Sequence, residues 1–266
     1  ILGVLNNIQP GRNLILARLK GKVVDQAGII QGMSGSPVFL DGKIAGAVAY
    51  SFSYAKEAIA GITPIEEMLA IGDRATPRAA PPLGLPLSGR PRFEELLARS
   101  LEAAPDEGPL QAGGWTARRL RLPLVLGGLH SRAVEKSRPL LERMGFLPVP
   151  GGSSGQARDM ALSPDLSLRE GDAVGIQLVG GDADVSAVGT VTYVDGTRVL
   201  AFGHPCYNLG AVDFAMTKAR VIAVVPSLES SFKLSQTEAL IGAFSQDRTA
   251  GALGELGKMP RLIPVN

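Results

Sequence analysis

A mainly β fold is predicted by this chain, and three observations carry the prediction. Glycine and proline are abundant, at 33 and 19 of 266 residues, more chain-turning residues than a helical protein tolerates. Short apolar runs of strand length recur, among them NLILARL (13–19), DAVGIQLV (172–179), AVGTVTYV (187–194) and TRVLAFG (197–203). Two Asp-Gly pairs, Asp41-Gly42 and Asp195-Gly196, separate such runs where a two-residue hairpin needs residues that accept positive φ.

In chain order, NLILARL reads as a strand. VFL, the Asp41-Gly42 turn and KIAGAVAY then read as a tight hairpin that begins directly after Pro37. Thr63-Pro64-Ile65-Glu66-Glu67 opens a short helix, with Thr63 expected as N-cap and Pro64 at the first helical position. The proline-rich, aperiodic stretch 75–91 marks a linker. Beyond it, RFEELLARSLEAA has amphipathic helical spacing, LRLPLVLGGL reads as a strand, and SRAVEKSRPLLERMGF as a helix that Pro139 kinks or divides. GGSSG at 151–155 reads as a second flexible joint. The β pattern then resumes and continues through ARVIAVVP and beyond. Three segments follow: 1–72, mainly β; 73–160, a linker and mixed α/β insert; and 161–266, again β.

Composition excludes several classes of function. With 45% hydrophobic residues the chain can build real cores. Its 27 basic and 25 acidic residues nearly balance, and the only basic cluster, Arg118, Arg119 and Arg121, reads as a solvated strand face, so nucleic acid is not an expected partner. No apolar stretch approaches the roughly 20 residues of a membrane-spanning helix. The single cysteine, Cys206, excludes an internal disulfide and a cysteine-rich metal site, and reads as buried filler. The chain opens on Ile1, and ILGVL lacks the charged start and cleavage site of a signal peptide, so any targeting segment is expected to lie outside it.

The chemistry concentrates at IQGMSGSP (30–37). A hydrolase elbow of the G-x-S-x-G type is excluded twice, because Ser36 replaces its second glycine and a hairpin follows in place of a helix. A turn of the G-x-S-G-x-P type fits better. Gly32 and Gly35 allow the chain to turn sharply with its amides pointing inward, and the hairpin and helix that such a barrel needs follow in order. Ser34 is then either a nucleophile or a serine in a glycine-rich turn. A nucleophile needs a base, and there are two histidines. His130, in LGGLHSRAVEK, reads as a capping or surface residue. His204, in VLAFGHPCYNLG, sits where a strand ends in a loop, the way a base is presented. Asp182 and Asp184 read as turn carboxylates before a cation site, and Gln246-Asp247-Arg248 as a structural ion pair near a strand end.

These residues resemble the SpoIVB-type sporulation serine peptidases, a signalling family related to the trypsin-like fold. PGRNLILARL, IIQGMSGSPVFLDGKIAGAV and ITPIEEML look like that family's serine-bearing half, and GTVTYVDGTRVLAFGHP like its histidine-bearing half. The resemblance covers residues 1 to about 72 and about 165 to 266. It implies two trypsin-like β-barrel halves, with Ser34 as nucleophile, His204 as general base, and the amides of Gly32 and Ser34 as oxyanion donors. It implies a protein or peptide substrate, self-cleavage or cleavage of a membrane-associated signalling partner, an extracytoplasmic (periplasmic or secreted) setting, and no cofactor or metal.

Two departures stand out. Ser34 precedes His204, the reverse of the family's order, which geometry permits. The family's aspartate upstream of the serine aligns with Leu19, Asp25 being the nearest acid, and Asp213 is the other candidate to orient the imidazole. An inactive barrel protein that binds peptides or regulates is the competing reading. Oligomeric state is open.

Overall fold

The computed structural model describes residues 1–52, 55–72, 110–112, 115–151 and 161–264. The linker at 75–91, the helix expected from RFEELLARSLEAA and most of the GGSSG joint lie outside the described residues. The architecture is mainly β, consistent with a trypsin-like β-barrel fold.

The first half holds β1 (Gly3–Gln9), β2 (Arg12–Arg18), β3 (Pro37–Leu40), β4 (Lys43–Phe52) and β5 (Ile59–Pro64). To these are added β6 (Leu110–Ala112) and β7 (Trp115–Arg119), giving the order β1-β2-β5-β4-β7-β6 with β3 paired to β4. The β3–β4 hairpin turns on Asp41 and Gly42, at φ 50° and 75°, the positive values that a two-residue turn imposes. A helix that the sequence pattern does not announce, α1 (Lys22–Ala27), leads from β2 toward the serine turn. It has no buried residue and so none of the periodic apolar face by which helices are recognised.

The second half holds β8 (Leu122–Gly127), β9 (Phe146–Pro150), β10 (Ala173–Val179), β11 (Asp184–Asp195), β12 (Arg198–Ala201), β13 (Gly210–Val225), β14 (Phe232–Arg248) and β15 (Gly251–Leu256). Strands β10, β13, β14, β15, β12 and β11 pair in that order, and β10 pairs β11 again, closing a six-stranded barrel. Alternate residues point inward and form the main core, with Val174, Ile176, Val191, Val199, Met216 and Phe244 all fully buried. Strand β8 extends this sheet beyond β11, and β9 runs parallel to β8.

The segment read as a mixed insert therefore contributes strands to both sheets. The chain crosses between them at Leu120 and Arg121, where Leu120 N–H donates to Ala49 O at 2.9 Å. A helix, α3 (Ser131–Arg143), connects β8 to β9 and continues unbroken through Pro139. His130 is its N-cap, with Nδ1 accepting from Arg132 N–H at 3.2 Å.

The short helix after β5 is α2 (Ile65–Leu69), and its cap differs from expectation. Pro64 is the N-cap, with no side-chain capping bond. Thr63 remains on the strand and gives its hydroxyl to Gly203 O at 2.6 Å, a contact to the other half of the molecule that only the tertiary fold creates. Helix α2 and the turn after it pack Ile65, Met68 and Ile71 with Ala47 against Leu200 and Ala250, so the two halves share a core. It also places Glu67 against the buried Arg12, with Nε to Oε2 at 3.0 Å, while Glu67 Oε1 accepts from Asn13 N–H at 2.7 Å. Glu67→Gln keeps the shape but removes the charge facing Arg12. It is expected to cost about 1.5–3 kcal/mol, the usual loss for a hydrogen bond to a charged group, measured by urea unfolding.

Candidate active site

The turn bearing Ser34 is built by glycine. Gly32 and Gly35 have φ of 90° and 94°, which an L side chain rarely adopts, and they reverse the chain on either side of Ser34. Gly35 N–H donates to Val48 O at 2.8 Å and Ser36 O accepts from Val48 N–H at 2.9 Å, tying the turn to β4.

The second half clasps this turn from outside. Thr190 N–H donates to Ser34 O at 2.9 Å, its hydroxyl to Gly32 O at 3.1 Å, and Thr192 hydroxyl to Gly35 O at 2.8 Å. Lys233 N–H donates to Gln31 O at 3.1 Å, and its half-buried ammonium, whose pKa is lowered to about 8 by desolvation, reaches Thr190 Oγ1 at 3.1 Å. The clasp is reciprocal, since Thr63 of the first half holds Gly203 of the second.

His204 follows β12 through a tight bend in which Phe202 and Gly203 have φ of 73° and 67°. A positive φ at phenylalanine is a strained conformation held in place by its surroundings, here a fully buried ring packed 5.7 Å from that of Phe244. The bend aims the imidazole at the serine turn. Ser34 Oγ and His204 Nε2 lie 2.6 Å apart across 170 residues of sequence.

The hydrogen bonds determine the tautomer. His204 Nδ1 lies 2.8 Å from Pro205 O, and a carbonyl can only accept, so Nδ1 carries the proton. Burial above all, reinforced by the charges of Arg119 and Arg12, lowers the imidazole pKa to about 3. The ring is neutral at pH 7 and Nε2 is free to accept. Ser34 has one hydroxyl proton and two acceptors within reach of it, His204 Nε2 and the Phe202 carbonyl, and donates to one of them at a time.

A pH dependence of stability follows. The folded pKa of about 3 lies below the ordinary 6.5, so between these values the unfolded chain binds a proton that the folded one refuses. His204 thus gives its full contribution above pH 6.5 and loses it progressively as the pH falls toward 3. Urea unfolding between about pH 7 and pH 4 is expected to show a shallower decline in His204→Gln than in wild type.

Asp213 is corrected as the third partner. It lies exposed on β13 and its Oδ2 accepts from Arg261 N–H at 2.9 Å, while the partner of the imidazole Nδ1 is Pro205 O. Asp25 sits on α1, where it accepts from Gly21 N–H at 3.3 Å. The carboxylate nearest the histidine loop is Asp247 on β14, fully buried. It accepts from the amides of Cys206 at 2.8 Å and Tyr207 at 2.7 Å, with those of Asn208 and Leu209 also bonded to it. Arg248 does not pair with it but donates from Nε to Gln246 Oε1 at 2.9 Å. Cys206 is a buried thiol whose pKa is pushed well up by desolvation and by Asp247, the opposite of an activated nucleophile. Asp184, placed by its spacing in a turn, is instead buried on β11 and accepts from the hydroxyls of Ser186 and of Thr237, the latter at 2.7 Å. Among the described residues no cluster of three or more His, Cys, Asp or Glu side chains is placed to hold a metal ion.

A cleft of about 1450 Å³ opens beside this site, bounded by α1, residues 117–122, residues 204–208 and the β13–β14 turn. His204 and Arg119 are in its wall, whereas Ser34 lies behind them with no exposed surface.

Residues 4–69 match the model of the SpoIVB peptidase S55 family, a stretch that contains the serine turn, its hairpin and α2. Over these residues the chain is similar to the SpoIVB peptidase family. The match covers a quarter of the chain, and the histidine-bearing barrel lies outside it. No curated protein and no solved structure matches the chain. A SpoIVB-type half implies a serine peptidase acting on a protein substrate. Thr63, Thr190, Phe202, Arg119 and Asp247 carry no sequence signal as site residues, since each owes its role to a contact between distant strands. Among the described residues no helix is long and apolar enough to cross a membrane.

Proposed function

We propose that the protein is a serine endopeptidase working through an acyl-enzyme. Ser34 Oγ attacks the peptide carbonyl, His204 Nε2 takes its proton and returns it to the leaving amine, and water then hydrolyses the ester by the same base. The observation that carries this reading is the 2.6 Å contact between Ser34 Oγ and the unprotonated Nε2.

The amides of Gly32 and Ser34 serve as oxyanion donors. Neither has an acceptor among the described residues, and the peptide groups they belong to are pinned at their carbonyl ends, Gln31 O by Lys233 N–H and Met33 O by Ser36 N–H. Such fixed, unoccupied donors are what a developing oxyanion requires. The family likeness supports a protein substrate; cleavage of the chain itself or of a signalling partner, in an extracytoplasmic setting, is part of the proposal. Incubation with an unfolded protein substrate is expected to give fragments that disappear with Ser34→Ala. Cleavage that persists in Ser34→Ala overturns the proposal.

The sealed position of Ser34 and its bond to Phe202 favour a second reading, a barrel that binds peptide without cleaving it. That reading expects peptide binding, no fragments, and an affinity indifferent to Ser34→Ala.

A further inference from the structure

The imidazole is held by a backbone carbonyl where a carboxylate would be expected, and that carbonyl belongs to a peptide group with a second hydrogen bond. Pro205 C=O accepts from His204 Nδ1–H, and Cys206 N–H, the other end of the same planar amide, donates to Asp247 Oδ1; both separations are 2.8 Å. We propose that Asp247 is the positioning residue for His204 and acts through the Pro205–Cys206 peptide group, fixing that group by its N–H and making its carbonyl a stronger acceptor for Nδ1–H.

The chemistry of Asp247 supports a charged carboxylate at the end of this chain. It is fully buried, and its two oxygens accept from the backbone N–H groups of Cys206 to Leu209. Burial pushes its pKa up, while the amides favour the ionised form, which alone meets four donors without an O–H of its own to satisfy. A negative charge at one end of a peptide group deepens the charge on the other, since hydrogen bonds in series polarise one another by about 10–30% per bond. Among the described residues no carboxylate bonds to His204 directly. The relay moves no proton: Nδ1 keeps its hydrogen and Cys206 keeps its own. When His204 accepts the Ser34 proton, the imidazolium faces a reinforced carbonyl. The full charge lies one peptide group away, so the base is oriented without being made strongly basic.

The inference rests on His204 as the general base, and its test separates the two. Proton NMR of wild-type protein needs no activity. The His204 Nδ1–H and Cys206 N–H resonances are both expected downfield of their ordinary ranges, and either one within its ordinary range overturns the relay. In Asp247→Asn the Nδ1–H resonance is expected to move upfield. Phosphonylation of Ser34 by a fluorophosphonate is expected to slow about 10- to 100-fold, the size of the loss when the outer hydrogen-bond partner of a metal-ligating histidine is removed. Asp247→Asn with lowered thermal stability and an unmoved Nδ1–H resonance is the behaviour of a purely structural carboxylate and overturns the proposal. Wild-type protein inert to the fluorophosphonate contradicts the general-base reading alone, and the NMR arm still decides the relay.

Discussion

His204→Gln is expected to slow the reaction of Ser34 with a fluorophosphonate by about 10²- to 10⁴-fold, the usual contribution of a positioned general base. Glutamine nearly fills the volume of the imidazole, and its amide can still bond to Ser34 or to the Pro205 carbonyl, so the buried site is not left with a cavity or an orphaned partner. What it lacks is a nitrogen lone pair able to take a proton at neutral pH. The pH dependence provides an independent check. Because burial, Arg119 and Arg12 hold the imidazole pKa near 3, the acid limb of the wild-type rate is expected well below the 6.5 of an ordinary histidine. The limb should be missing in His204→Gln. Rates read by intact mass against pH check both outcomes, and an undiminished rate in His204→Gln would show that Ser34 is not activated by this residue.

Gly35→Ala is expected to be among the most damaging one-methyl changes at the described glycines. A Cβ there would stand 2.0 Å from Thr190 O and 2.6 Å from Phe202 N, and both are backbone atoms that cannot rotate away. The φ of 94° adds a conformational cost of about 1–3 kcal/mol. Forced separation of packed elements adds about 1–3 kcal/mol more. Both contacts lie across the junction of the halves, so the strain falls on the separation that brings His204 to Ser34. Loss of Ser34 reactivity is therefore expected even where the protein still folds. Gly42→Ala is the matched comparison, since Gly42 has φ 75° but a methyl added there would meet no neighbour within 4 Å. It should show the conformational cost alone, about 1 kcal/mol, with reactivity retained. Urea unfolding of the two variants side by side measures the difference.

Those features of the fold that depend on neighbours in the chain are legible in the sequence. Glycines around Ser34, the Asp41-Gly42 hairpin and the alternation in AVGTVTYV specify a turn, a hairpin and a strand, and each is where the pattern puts it. Helix α1 leaves no trace in the pattern because it buries nothing. Thr63 has the sequence context of a cap, yet its hydroxyl serves Gly203, 140 residues away. The same holds for the site. The turn and the strand end that present Ser34 and His204 are local signals, each legible by itself. Asp213 is close to His204 in sequence, but its side chain lies exposed on β13 and accepts from Arg261 N–H. Asp247 is 41 residues beyond Cys206 and reaches the histidine loop only because β13 and β14 fold back as a pair, a register no single-sequence pattern states.

The pairing of Ser34 with His204, from two halves in reversed order, is tested most directly by treating folded wild-type protein with a fluorophosphonate and locating the adduct by peptide mass spectrometry. One phosphonyl group on the peptide containing Ser34, absent from Ser34→Ala and formed far more slowly in His204→Gln, is the expected result. Intact protein that carries no adduct at Ser34 would contradict it.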